Sequence, residues 1–182
     1  MADYLYSILK ITGEADAVDD FIERAMGEIH QYQRRDEALG DDPEMLHDLC
    51  FHALYPVPEH ILASPFDPVG YEWETEHWGV KWGTNDSQLE IISPTEIQYT
   101  FSTPWGFPIP FFDKVAADFP HLRFERKSID PANSWVAGST WHLGKMTESW
   151  ERESSEEEYE QLEMAWKGDL PLARVLGNLD EQ

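Results

Sequence analysis

Cysteine is nearly absent. Cys50 is the single thiol among 182 residues, which excludes an internal disulfide framework and fits a reducing compartment. Basic residues are scarce too: 13 Lys and Arg stand against 36 Asp and Glu, a formal net charge of −23. A surface of that sign opposes a phosphate backbone, so direct nucleic-acid binding is not expected. No apolar run approaches the ~20 residues that span a bilayer, and no membrane association is expected. Met1-Ala2-Asp3 opens without the basic and apolar regions of a signal segment, which points to the cytoplasm. The sequence also lacks a Gly-x-Ser-x-Gly elbow, a Gly-x-Gly-x-x-Gly turn, a Walker loop and a His-Glu-x-x-His pair. No catalytic residue, metal or cofactor is therefore assigned, and a non-enzyme is the leading expectation. No internal repeat is present.

What the chain does have is a 41% apolar fraction with 8 Trp, 7 Tyr and 9 Phe, enough for the core of one domain. Its charge is unevenly spread. Residues 1–76 carry 18 acids and 4 bases, residues 77–147 carry 7 and 6, and residues 148–182 carry 11 and 3. Two acidic ends bracket a nearly neutral, tryptophan-rich centre.

Tyr4–Thr12 reads as a strand ending at Gly13. Val18, Phe21, Ile22, Ala25, Met26 and Ile29 then make one helical stripe over about residues 15–29. His30–Glu44 is charged and reads as a helix tail and a loop. Leu49, Phe51, Ala53 and Tyr55 alternate like a strand, and an irregular, proline-punctuated connection follows. Leu89–Ile92 is a short strand. Glu96–Ser102 alternates strictly, with Ile97, Tyr99 and Phe101 on one side. Phe112, Val115, Ala116 and Phe119 form a second helical stripe over about 109–119. Leu122–Ile129 and Trp135–Leu143 are strands joined by the turn residues Asp130–Asn133. Ser155–Trp166 is a third helix, with Ser155 and Glu158 as a capping box and Gly168 as its stop. Leu170–Leu176 allows one short turn of helix. The pattern defines an α+β fold: a two-layer, ferredoxin-like antiparallel sheet with two helices on one face, plus an acidic C-terminal helix. Residues 1–147 form the α+β domain, with an irregular insertion at about 30–75, and residues 148–182 an acidic helical extension.

The best site candidate is the stretch from Trp73 to Phe112. Read as extended chain, Trp78, Val80 and Trp82 share one face and Gly79, Lys81 and Gly83 the other. Trp78, Trp82 and Trp105 would wall a stacking groove for a base, sugar or peptide, with Lys81 meeting an anion. The competing reading makes these indoles core, with Trp105 and at least one of Trp78 and Trp82 mostly buried. His47, Cys50 and His52 are weighed as metal ligands and set aside for want of a paired motif. Arg123, Arg126 and Lys127 form a small basic cluster on one strand. They suit a phosphate, or balance the acidic ends.

Three short motifs carry a resemblance. Trp78-Gly-Val-Lys-Trp-Gly-Thr84, Thr103-Pro-Trp-Gly-Phe-Pro108 and Phe119-Pro120 before a strand, with Cys50–Pro58, resemble the YubB-like ferredoxin-fold domain of phages, plasmids and other mobile elements. The likeness spans roughly residues 1–145, with the tail from Glu148 outside it. It implies the ferredoxin-like fold and no activity.

The leading functional expectation is a non-enzymatic, acidic interaction protein of a mobile genetic element. Its acidic surface is Glu151, Glu153, Glu156, Glu157, Glu160 and Glu163, and its partner a basic host protein that normally grips nucleic acid, which the chain mimics. Like charges three or four apart destabilise a helix, so the arrangement suggests a use for the field. A small-ligand or enzymatic site at Trp78–Trp82 and Trp105 is the second expectation, and a structural accessory domain the third. Sequence leaves the oligomeric state open.

Overall fold

A computed structural model describes residues 4–28, 32, 46–166 and 169–179. The expected sheet is present and larger. It runs in the order β4-β5-β1-β6-β7-β8, and every pairing is antiparallel. The strands are β1 (Tyr4–Thr12), β4 (Asn85–Ser93), β5 (Glu96–Pro104), β6 (Arg123–Asp130), β7 (Trp135–His142) and β8 (Lys145–Glu153). Two-residue strands β2 (Gly27–Glu28) and β3 (Leu46–His47) pair separately. Helices α1 (Ala15–Ala25) and α5 (Ile109–Asp118) return the chain between strands, which gives the βαββαβ order of a ferredoxin-like core.

Alternation along the strands decides what each face buries. Leu9, Ile11, Ile97, Tyr99, Phe101, Phe124 and Trp141 point to one side. There they pack against Val18 and Phe21 of α1 and Phe111, Phe112 and Val115 of α5 in one cluster. Both helices therefore lie on the same face, as their stripes predict. Trp141 Nε1–H donates to Asp113 Oδ1 at 2.7 Å, which ties α5 to β7.

The second face is not left to water. Ile8, Ile129 and Val136 meet Leu162 of α6 (Glu156–Trp166) and Val175 and Leu176 of α7 (Leu172–Gly177), with Trp150 packed alongside. β8 crosses residue 148 as the sixth strand of the sheet. Trp150 lies against Gly138, where an added Cβ would meet its indole at 2.4 Å. The Ser155–Glu158 capping box forms: Ser155 N–H donates to Glu158 Oε2 at 2.7 Å, and Glu158 N–H to Ser155 Oγ at 3.2 Å.

The insertion departs most from expectation. Phe51–Leu54 is a helical turn, α2, rather than a strand. Cys50 N–H donates to the Ala25 carbonyl at 2.8 Å, and the turn then buries Phe51 and Leu54, three apart. α3 (Glu59–Leu62), a kinked segment at Phe66–Gly70 with extended backbone at Asp67, and α4 (Tyr71–His77) follow. α1 stops at Ala25, short of the expected residue 29. Ile29, the His30–Glu44 segment apart from Tyr32, Gly168, the Trp166 side chain and the last three residues lie outside the described part. No helix among the described residues is long and apolar enough to cross a membrane.

Candidate functional site

The tryptophan stretch is not extended chain. α4 ends at His77, and Trp78–Gly83 forms a tight loop. Glu74, wholly buried, organises it. Its carbonyl accepts Trp78 N–H at 2.7 Å and Gly79 N–H at 3.1 Å, and its Oε2 accepts Trp82 N–H at 2.7 Å. The loop therefore sorts its indoles differently from a strand. Trp78 is 0% exposed, donates through Nε1 to the Tyr55 carbonyl at 3.0 Å, and lies edge-on to Phe51. It is core and cannot wall a groove.

Trp82, half-buried, and Trp105, exposed, both have positive φ, 67° and 66°. Bulky residues rarely adopt that backbone, and such strain gathers where the surroundings impose it. At Trp82 the buried Glu74 carboxylate imposes it. At Trp105 the turn is closed by Thr103 Oγ1–H donating to the Gly106 carbonyl at 2.6 Å. Trp105 is 56% exposed, contrary to the expectation that it is core. Lys81 reaches between the two indoles, its Nζ 3.6 Å from the Trp82 ring centre and 4.0 Å from that of Trp105. Beside it opens a cavity of about 330 Å³ lined by Phe66, Asp67, Tyr71, Lys81 and Trp105. Three of the four site residues named from sequence thus come together, and Trp78 does not. Phe66, Asp67 and Tyr71 were missed because they lie in a proline-punctuated connection with no periodic signal.

The six acidic residues do not form one surface. Glu156, Glu157, Glu160 and Glu163 are exposed on α6, over the second face. Glu151 and Glu153 pair with Ala137 and Trp135 and project to the α1–α5 side. Acid therefore wraps both sides of the β8 edge. Within it Arg152 donates through both terminal nitrogens to Glu158, at 2.9 and 2.6 Å. That fork, with the Ser155 contacts, holds the Glu158 carboxyl below the usual carboxylate range.

The basic cluster is divided by the pleat. Arg123 and Lys127 face the second side, where Arg123 meets Glu125 at 3.4 Å and Lys127 donates to the Gly177 carbonyl at 2.8 Å. Arg126 faces the helix side alone. Cys50 donates to the Glu28 carbonyl at 3.2 Å, and burial pushes its thiol up. His52 Nδ1 accepts Val57 N–H at 3.1 Å. Among the described residues no group of three His, Cys, Asp or Glu is placed to hold a metal.

A family model described as "Ferredoxin-like domain in Api92-like protein" matches residues 77–167, half of the chain. The fold and this match define the class, and the chain belongs to that Api92-like family. The matched region runs through β8 and α6, beyond the residue near 145 where the sequence resemblance ends. The crystal structure of a protein api92 from Yersinia pseudotuberculosis is similar over 85% of this chain and 99% of that one, with a TM-score of 0.64 and 9% identity. At that identity the likeness speaks for the fold alone. Comparison with curated proteins gives no match.

Proposed function

We propose that this is a non-enzymatic binding protein that presents the acid of α6 to a basic, nucleic-acid-gripping partner, as a nucleic-acid mimic. It would act in the cytoplasm on behalf of a mobile genetic element, as the sequence resemblance implies. The observation that carries the reading is the way α6 is fixed. Leu162 is 0% exposed and seats the helix, while the Arg152–Glu158 fork locks its first turn to β8. The outer glutamates are thus held in set positions on a packed helix. The helix dipole favours acids at Glu156 and Glu157, but Glu160 and Glu163 lie beyond the first turn and gain nothing from it. The like charges of Glu156 and Glu160, one turn apart, are a standing cost that a basic partner would relieve.

The test is competition at low salt against DNA bound to a panel of purified basic DNA-binding proteins. Removal of residues 148–182 would cut β8 out of the sheet, so the informative variant exchanges Glu156, Glu157, Glu160 and Glu163 for Gln. The intact chain should displace DNA from at least one protein, more weakly as salt rises, and the variant should displace less. Equal displacement by both, or none by either, ends the proposal.

A second reading rests on the strained pair Trp82 and Trp105. The cavity that Trp105 borders with Lys81, Phe66 and Tyr71 suits a small planar ligand. Trp105→Ala leaves the core intact and should abolish any such binding. Binding retained in that variant would assign the ligand elsewhere.

A further inference from the structure

A second cavity, of about 460 Å³, opens on the α1–α5 side of the sheet, beyond the N-terminus of α5. Leu5, Phe107, Ile109 and Trp135 give it apolar and aromatic walls, and Arg126 lies in its lining. Arg126 is 7% exposed. Its guanidinium rests on the Phe107 ring, 4.0 Å from the ring centre, and donates to Ser139 Oγ at 3.0 Å and to Ser128 Oγ at 3.4 Å. Nε is buried with no hydrogen-bond partner among the described residues, and no carboxylate of those residues forms an ion pair with the group. Burial pulls its pKa down to about 10 against the opposing charge of Glu151, so the group stays charged at neutral pH.

A buried charge normally has a carboxylate or a full set of hydrogen bonds, because its lost hydration is otherwise uncompensated. Two serine hydroxyls, one at long range, answer only two of the five donors of a guanidinium. Glu151 acts on the guanidinium through its charge but does not hydrogen-bond to it, so the remaining N–H groups suit an incoming anion. The walls specify the rest of it: an apolar, planar body against Trp135 and the edge of Phe107, whose faces are taken by Arg126 and Phe112. Glu151 stands in the lining, and the Asp130 carboxylate, also there, is engaged by the backbone N–H groups of Ala132 and Asn133. Acid in the lining penalises a dianion more than a singly charged group. The volume falls within the range of small-molecule sites. We infer that this cavity binds a small aryl monocarboxylate, with Arg126 as the anion anchor and Phe107 and Trp135 as the walls. The site is separate from the α6 face and from the Lys81 cleft.

The experiment titrates the full chain with indole-3-acetate, phenylacetate, phenyl phosphate and inorganic phosphate. Binding is followed by the NMR signal of the Trp135 indole N–H, assigned with Trp135→Phe. At least one carboxylate should shift that signal saturably, and phenyl phosphate should bind more weakly. Arg126→Lys keeps the charge but loses the fork, and should weaken binding about tenfold or more. Ala137→Leu fills the cavity without altering charge, and should weaken it as well. Circular dichroism and the other indole signals show that each variant is folded. The inference is overturned if neither carboxylate shifts Trp135, if phenyl phosphate binds more tightly, or if both folded variants bind like the parent chain. None of these results bears on displacement of DNA through α6, so the two proposals fail separately.

Discussion

Two arginines on opposite faces of one sheet are treated in opposite ways. Arg152, on β8, faces the second side at the exposed edge, and its fork is filled by the Glu158 carboxylate. Arg126, two strands inward, is buried on the helix side with two serine hydroxyls and an aromatic face. The better-solvated cation has a hydrogen-bonded carboxylate, and the less-solvated one feels Glu151 only through its charge. If both served only to stabilise the fold, the distribution would run the other way, because the need for a counter-charge grows with burial. Arg152 is explained by the fold it closes. Arg126 is explained by something that comes to it.

The comparison breaks most severely if α6 is unseated. Leu162→Ala should cost about 2–5 kcal/mol by loss of a fully buried side chain, read from the urea midpoint. It should also release the Arg152 fork from its helix. Glu158→Ala should cost less, about 1–3 kcal/mol, because it removes charge-assisted hydrogen bonds and a helix cap together. No loss of midpoint in that variant would make the Arg152 corner ornamental. The same pair has a pH signature. The folded-state pKa of Glu158 is depressed, first through its hydrogen bond to Arg152. Its contribution is therefore full above the usual carboxylate pKa and fades as pH falls through the folded value. The midpoint difference between the parent chain and Glu158→Gln should shrink on acidification below that range. A difference that is flat with pH would deny the pairing. Arg126→Met should have the smallest effect, within about 1 kcal/mol of the parent, since an apolar isostere replaces a buried charge that has no hydrogen-bonded counter-ion. A loss of several kcal/mol there would make Arg126 a structural residue like Arg152 and erase the contrast.

Local patterns made much of this readable in the sequence. The β5 alternation, the α5 stripe and the Ser155–Glu158 capping box each hold their signal within a few residues, and each forms. Phe51–Leu54 was misread because one helical turn is too short for its period to outvote the accidental alternation of Leu49, Phe51, Ala53 and Tyr55. α4 hid behind three glutamates, one of which, Glu74, is buried to tie down the next loop. Hence the indoles were wrongly sorted between core and surface: Trp78 is buried as the core reading expects, and Trp105 is outside. The isolation of Arg126 from Arg123 and Lys127 needs only the pleat, and the alternation in β6 already contains it. That no carboxylate hydrogen-bonds to it needs the registers of β6, β7 and β8, which no stretch of sequence carries.

β8 behaves as a tape with two tracks. Ser149, Glu151 and Glu153 are written to the cavity side, and Glu148, Trp150 and Arg152 to the α6 side. A slip of one residue would exchange the tracks. It would bring Arg152 round to the side of Arg126 and turn Glu151 toward α6, reversing the sign of the field at both places. The indole of Trp150 in the socket over Gly138 forbids the slip, because the neighbouring positions on β7 carry side chains where the indole would have to lie. One residue with no side chain therefore sets which side of the sheet Glu148, Glu151, Arg152 and Glu153 face.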